Sequence, residues 1–261
     1  MKKRLISALV MIIIFIPILI VGDIYYPILG SILGLIGLWE LMRLEKNIPD
    51  FMKLFSYFIC LFLILFNYQK ENYFDMFNFP IMGGVFLLYS ISVVINNDLK
   101  KYTYKEAIFL FSSVLIIGLL FNSFIKIRLL NLNYVIYCFI ISIMTDTFAY
   151  LGGSLLGRRK LAPAISPNKT IEGSIIGSLF GTICGSLFYY FVIGNNGVLE
   201  IILLTFTLTI ISQIGDLFFS SIKRTYKIKD FSNLIPGHGG VLDRLDSVLF
   251  VILAFLMYII I

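Results

Sequence analysis

Charge is scarce in this chain. Only 14% of its 261 residues are Asp, Glu, Lys or Arg, and 59% are hydrophobic; an average soluble domain is about 25% charged. That scarcity excludes an ordinary water-soluble fold and points to an integral membrane protein. Cysteine is sparse too: Cys60, Cys138 and Cys184 stand apart in apolar runs, which fits neither a disulfide framework nor a metal site and suits small core residues. Short segments of alternating hydrophobicity, the mark of a transmembrane barrel, are missing, as are internal repeats and low-complexity linkers. No Ala-x-Ala site follows the apolar run after Met1-Lys2-Lys3-Arg4, so that run is expected to remain as a first helix rather than leave as a signal peptide.

What is present is a series of apolar runs near the ~20 residues that cross a bilayer as a helix. The expected fold is all-α and polytopic, with about nine transmembrane helices near 5–22, 27–43, 54–67, 78–95, 107–124, 134–153, 173–194, 200–221 and 247–261. Residues 1–130 are expected to supply packing and lipid-facing helices, and 131–261 the catalytic region. With the N-terminus in the cytoplasm, 18 of the 21 Lys and Arg residues fall in inside segments, and only Lys70, Lys126 and Arg128 stay outside. This is the positive-inside bias. It reads the net charge of +6 as topology rather than as a nucleic-acid footprint, and no nucleic-acid partner is expected. Gly173, Gly177, Gly181 and Gly185 recur every fourth residue and make a smooth helix face; packing within the monomer and a homodimer seam both suit it.

Polarity is concentrated in residues 220–246, which hold three carboxylates and the single histidine. Upstream, Glu40, Asp146 and Asp216 fall inside apparent spans, where a mid-bilayer carboxylate costs roughly 2.5–3.5 kcal/mol. An i, i+3 pair with Arg43 accounts for Glu40. Asp216, Ser220, Lys223 and Lys227 share one face if their helix continues past the membrane surface. Asp243 and Asp246 share a face near a helix start, where backbone N–H groups favour anions. Asp216 folded against that pair makes an all-oxygen cluster suited to Mg²⁺. Topology alone explains part of the Lys223, Arg224, Lys227 and Lys229 cluster; it does not explain the carboxylates among them. Nor does it explain Pro236-Gly237-His238-Gly239-Gly240, a run whose backbone N–H groups could approach an anion. A second polar island, Ser166-Pro167-Asn168-Lys169-Thr170, precedes the glycine-striped helix and reads either as a phosphate or ribose cradle or as a plain loop into that helix.

The run Ser220-x-Ile222-Lys223-Arg224, then Lys229-Asp230-x-Ser232, then Ile235-Pro236-x-His238-Gly239-Gly240-Val241-x-Asp243-Arg244-Leu245-Asp246 resembles the signature of the phosphatidate cytidylyltransferases. Asp146 with Ala149-Tyr150, and the Ser166 to Gly173 island, are similar to that family as well, with Ile171 standing where tryptophan would be expected. The resemblance implies that CTP and phosphatidic acid give CDP-diacylglycerol and pyrophosphate at the cytoplasmic face of the cell inner (plasma) membrane. It implies Mg²⁺ as cofactor and leaves open a second, monovalent metal. In these terms Asp216, Asp243 and Asp246 would hold metal, and Lys223, Arg224 and Arg244 would clamp phosphates. Asp146, Ser166, Asn168, Lys169, Thr170, Ser220, Lys229, His238, Gly239 and Gly240 would meet substrate, His238 as a loop or contact residue rather than a base. An ion-coupled transporter using Asp146 and Asp216 is the rival of another class; a CTP-dependent lipid kinase, or a cytidylyltransferase for another lipid phosphate, is the rival among enzymes.

Overall fold

The computed structural model describes residues 2–67, 79–96, 102–194 and 197–260, with the backbone alone for 2–9, 12 and 79. Lys70, Lys100, Lys101 and the Lys2, Lys3 and Arg4 side chains, all counted in the charge partition, lie outside what is described. The described residues form nine α-helices: α1 (Lys2–Val21), α2 (Tyr25–Met42), α3 (Asp50–Leu65), α4 (Phe79–Asn96), α5 (Tyr104–Leu130), α6 (Leu132–Leu156), α7 (Ile171–Phe188), α8 (Val198–Thr225) and α9 (Leu242–Ile260). A short antiparallel pair, β1 (Lys160–Ala162) and β2 (Ser166–Thr170), stands between α6 and α7, and one π-helical turn, Tyr189–Ile193, extends α7. The protein is an all-α polytopic membrane protein. Among the described residues five helices are long and apolar enough to cross a bilayer: α2, α5, α6, α7 with its π turn, and α8.

Contacts divide the chain into two units. The first runs to Leu129 and includes Phe231–Val241; the second comprises Leu130–Asp230 and Leu242–Ile259. In the first unit, polar side chains of α5 close the ends of other helices. Asn122 Nδ2 donates to the carbonyls of Leu63 (3.1 Å), Ile64 (2.9 Å) and Phe66 (2.9 Å) at the end of α3. Arg128 donates from Nε to Leu19 (2.6 Å) and from a terminal nitrogen to Ile20 (2.8 Å) in the last turn of α1. Both satisfy carbonyls that a helix end leaves unpaired, and the Arg128 charge suits the negative end of the helix dipole. Lys126 and Arg128 were expected in a loop. Instead α5 runs on to Leu130, and Asn131 alone separates it from α6, capping that helix by accepting from the Asn133 N–H at 2.9 Å.

In the second unit α7 lies directly on α6, and the glycine stripe is the reason. A Cβ at Gly173 would lie 2.5 Å from the Ala149 carbonyl oxygen, and one at Gly177 would lie 2.6 Å from that of Thr145. Gly185 faces Ile141 of α6 and Thr205 of α8 in the same way. All four glycines are buried within the chain, so the stripe packs the monomer and does not offer a dimer seam. Gly177→Val is expected to destabilise the protein by about 1–3 kcal/mol, since its methyls must displace the α6 backbone. A clear drop of the melting temperature in detergent, against no change for the outward-facing Ile175→Val, checks this; equal melting for the two variants would refute the packing.

Candidate active site

The second unit contains a polar cavity of about 600 Å³, lined by α6, the β1–β2 hairpin, α7, α8 and the first turns of α9. Local sequence sets each wall. Gly157 ends α6, and Glu172 accepts from the backbone N–H groups of Arg158 (3.0 Å) and Arg159 (3.2 Å), turning the chain into the hairpin. Thr170 closes β2 and caps α7 by accepting from the Gly173 N–H at 3.1 Å. The Ser166–Thr170 island is therefore a strand, and from it Asn168, Lys169 and Thr170 reach the cavity. Gln213 of α8 bridges to α7, donating to Ser178 Oγ (2.7 Å) and accepting from Ser174 Oγ (2.5 Å).

Asp146, Asp216, Asp243 and Asp246 all line this cavity, with Lys169, Lys223 and Arg244. Lys169 forms an ion pair with Asp216, which also accepts from Ser220 Oγ at 3.2 Å. Lys223 Nζ and Asp243 Oδ1 are 2.7 Å apart and nearly buried, the carboxylate side chain being only 3% exposed. Ser247 links the other two acids: its hydroxyl donates to Asp146 Oδ2 (3.2 Å) and its N–H to Asp246 Oδ1 (2.9 Å). The Asp216 charge acts on both Asp146 and Asp246. Gly215 permits this closeness, because a Cβ there would lie 2.7 Å from the Asp246 carbonyl oxygen. Ser247, Gly215 and Gln213 had no signal of their own in the sequence beyond adjacency to an acid or to a span of small residues.

One expected helix face is shorter than its spacing implies. Lys227 does not continue the Asp216–Ser220–Lys223 face. The chain leaves α8 after Thr225, with Lys227 in the left-handed region (φ 54°), Lys227 N–H bonded to Arg224 O (3.0 Å) and Ile228 N–H to Lys223 O (2.9 Å). That is a Schellman closure of the helix. Asp216, Asp243 and Asp246, expected to share a metal ion, all line the cavity, with Asp243 in its ion pair with Lys223; among the described residues no group of three His, Cys, Asp or Glu side chains stands close enough to form a metal cluster by itself. Arg224 hydrogen-bonds the carbonyls of Ile165 and Ile228 (both 3.1 Å), tying the hairpin to the end of α8. Ser166 and Lys229 do not line the cavity either, and Ser220 meets it only through Asp216.

His238, Gly239 and Gly240 belong to the Phe231–Val241 segment, which stands with the first unit. Its turn is closed on itself. Ile235 and Gly239 form a bridge, and the His238 and Gly239 N–H groups both donate to Ile235 O, at 2.9 and 3.2 Å, so these donors are spent rather than aimed at an anion. Gly237 (φ 79°) and Gly239 (φ 89°) occupy the left-handed region that the turn requires. Glu40 of α2, fully buried, holds this segment: its Oε1 accepts from Ser232 Oγ (2.6 Å) and the Val241 N–H (2.9 Å). The expected Arg43 pairing thus gives way to a long-range one, and the Arg43 guanidinium lies 5.1 Å from the centroid of Trp39.

Beside the cavity, α7 and α8 enclose an apolar groove of about 870 Å³, whose wall shares Ser174 with the polar cavity. A set of cations and carboxylates thus adjoins an apolar surface on two membrane helices, an arrangement suited to phosphate chemistry on an amphiphile.

The sequence of the chain from residue 2 to 261 matches the profile of the cytidylyltransferase family. Among curated proteins it is 35% identical over 255 residues to a phosphatidate cytidylyltransferase of Staphylococcus haemolyticus (strain JCSC1435), covering 97% of this chain and 96% of that protein. It is 33% identical over 258 residues to a phosphatidate cytidylyltransferase of Bacillus subtilis (strain 168), covering 96% of this chain and 94% of that protein.

Proposed function

Because the chain belongs to the cytidylyltransferase family, we propose that it transfers the cytidylyl group of CTP to phosphatidate, giving CDP-diacylglycerol and pyrophosphate in phospholipid biosynthesis. The observation that carries this reading is the full-length likeness to phosphatidate cytidylyltransferases. The cavity supports it in chemical terms. A phosphatidate oxygen attacks the α-phosphorus of CTP; the new P–O bond forms as the bond to the β-phosphate oxygen breaks, and its electron pair leaves with pyrophosphate. CTP carries roughly four negative charges and phosphatidate up to about two, its second phosphate pKa being near ~6. Lys169, Lys223 and Arg244 on one cavity answer that charge. Their carboxylate partners, Asp216 for Lys169 and Asp243 for Lys223, orient the ammonium groups before substrate arrives.

The donor set fits Mg²⁺, which usually takes one or two carboxylates and completes its shell with water and substrate phosphates. Asp146 and Asp246 form no ion pair among the described residues and would be the protein ligands, with Asp216 beside them. When bound, the ion would polarise the α-phosphate and neutralise the leaving pyrophosphate. The apolar groove that shares Ser174 with the cavity supports this reading, since acyl chains would find apolar surface beside it.

The same reading sets the cavity toward the cytoplasm, where CTP is found, and the partition of basic residues supports that orientation in a plasma membrane. One experiment tests both parts. Inverted membrane vesicles containing the protein, given phosphatidate and external α-³²P-CTP, are expected to form labelled lipid. Sealed right-side-out vesicles are expected to form none until permeabilised, and glycerol 3-phosphate, which lacks acyl chains, to serve poorly. Label transferred from γ-³²P-CTP would make the protein a kinase. No labelled lipid from either nucleotide, in vesicles or in detergent, would refute the reading.

A further inference from the structure

Glu40 lies far in sequence from every residue assigned to the cavity, yet the structure gives it a connection to them through the chain. The Phe231–Val241 segment is a strap that leaves from Asp230 and rejoins the fold at Leu242 and Asp243. Asp230 and Asp243 both line the cavity. The strap is fastened to α2 at both ends by one carboxylate oxygen: Ser232, one residue into it, donates its hydroxyl, and Val241, its last residue, donates its N–H. Val241 directly precedes α9, so its N–H is the donor that a Glu or Gln at the third helical position accepts in a capping box. That position in α9 is Arg244, which has no acceptor to offer. Glu40 supplies the missing acceptor from another helix.

Gly240 completes the fastening. Its φ is not in the left-handed region, so an alanine there is permitted by its own backbone. A Cβ at Gly240 would nevertheless strike the Glu40 carboxylate, lying 2.6 Å from Cδ and 2.8 Å from Oε2. The carboxylate is fully buried and held by two donors, so it cannot swing aside without releasing them.

From this geometry we propose that Glu40 is a positioning residue for the cytidylyl transfer: it fixes the two ends of the strap and thereby the start of α9, from which Asp243, Arg244 and Asp246 enter the cavity. The proposal rests on the transfer reading above. Its role is that of an acceptor, not of a charge in the reaction, and this sets the test. In purified full-length protein, Glu40→Ala is expected to lower kcat by on the order of 10²-fold, the scale of a misplacement of about 1 Å. Glu40→Gln keeps the acceptor oxygen and is expected to stay within a few-fold of wild type. Gly240→Ala should match Glu40→Ala, and the double variant Glu40→Ala/Gly240→Ala should be no worse than either single, because both break one fastening. Limited proteolysis, which does not depend on activity, is expected to cut the strap near the exposed Leu234 faster in Glu40→Ala and Gly240→Ala than in wild type. Wild-type kcat in Glu40→Ala, inactive Glu40→Gln, fully additive losses in the double variant, or unchanged strap cleavage would each overturn the proposal. An inactive wild-type protein would instead defeat the transfer reading, and the proteolysis would still report on the strap.

Discussion

Asp246→Asn is expected to stop turnover while leaving the protein folded. Asparagine has the shape of aspartate, and its side-chain oxygen can still accept the Ser247 N–H that now bonds Asp246 Oδ1 at 2.9 Å. What disappears is one negative charge in a cavity where Asp146, Asp216 and Asp246 act on one another. These are like charges on one cavity, which disfavour one another, so removing one should preserve or raise stability. The same charge is what an Mg²⁺ ion with substrate phosphates would require. Loss of one preorganised electrostatic contact at a phosphoryl centre is worth on the order of 10²–10³-fold in rate. The expected result is therefore a melting temperature at or above that of wild type, with labelled lipid formation lowered by at least that factor. EDTA should abolish wild-type turnover and added Mg²⁺ restore it. Wild-type turnover by Asp246→Asn would remove this residue from the site.

How far the chain discloses this arrangement depends on how local each interaction is. Helices are legible because an apolar run of sufficient length has one solution in a bilayer. The shared face of Asp216 and Ser220 was legible from i, i+4 spacing, and on it the Ser220 hydroxyl donates to Asp216. The next step along that face failed at Lys227, because a non-glycine residue in the left-handed region leaves no mark in composition. The glycine stripe was legible as a smooth face, but only tertiary structure shows that Ala149 and Thr145 cover it. Long-range pairings were the least visible. The spacing of Asp243 to Asp246 puts both on one face, but nothing in it reveals Lys223, twenty positions away, with which Asp243 pairs. Glu40 reads as half of a local ion pair, and it holds a segment about 200 residues downstream. Within residues 220–246, Phe231–Val241 stands with the first unit and its neighbours on either side with the second, a division that an unbroken motif does not disclose.

Lys223 carries the second large expected effect, and a pair of variants separates its two roles. Lys223→Ala removes a cation from the cavity and leaves the Asp243 carboxylate buried without its 2.7 Å ion pair. Breaking a buried pair from one side costs about 3–5 kcal/mol, so this variant should be both unstable and inactive, which by itself decides nothing. Lys223→Met with Asp243→Asn removes both charges and keeps the volume. Replacing a buried pair by uncharged groups of similar size is often neutral for stability, and the double variant should melt near wild type. If Lys223 serves only to neutralise Asp243 or to set membrane orientation, turnover returns with stability. If its ammonium meets substrate phosphate, as the transfer reading requires, the folded double variant remains slower than wild type by on the order of 10²-fold or more. That deficit should persist at saturating CTP, since the contact is needed most as charge moves onto the departing pyrophosphate. A folded double variant with wild-type kcat would return Lys223 to a purely structural role.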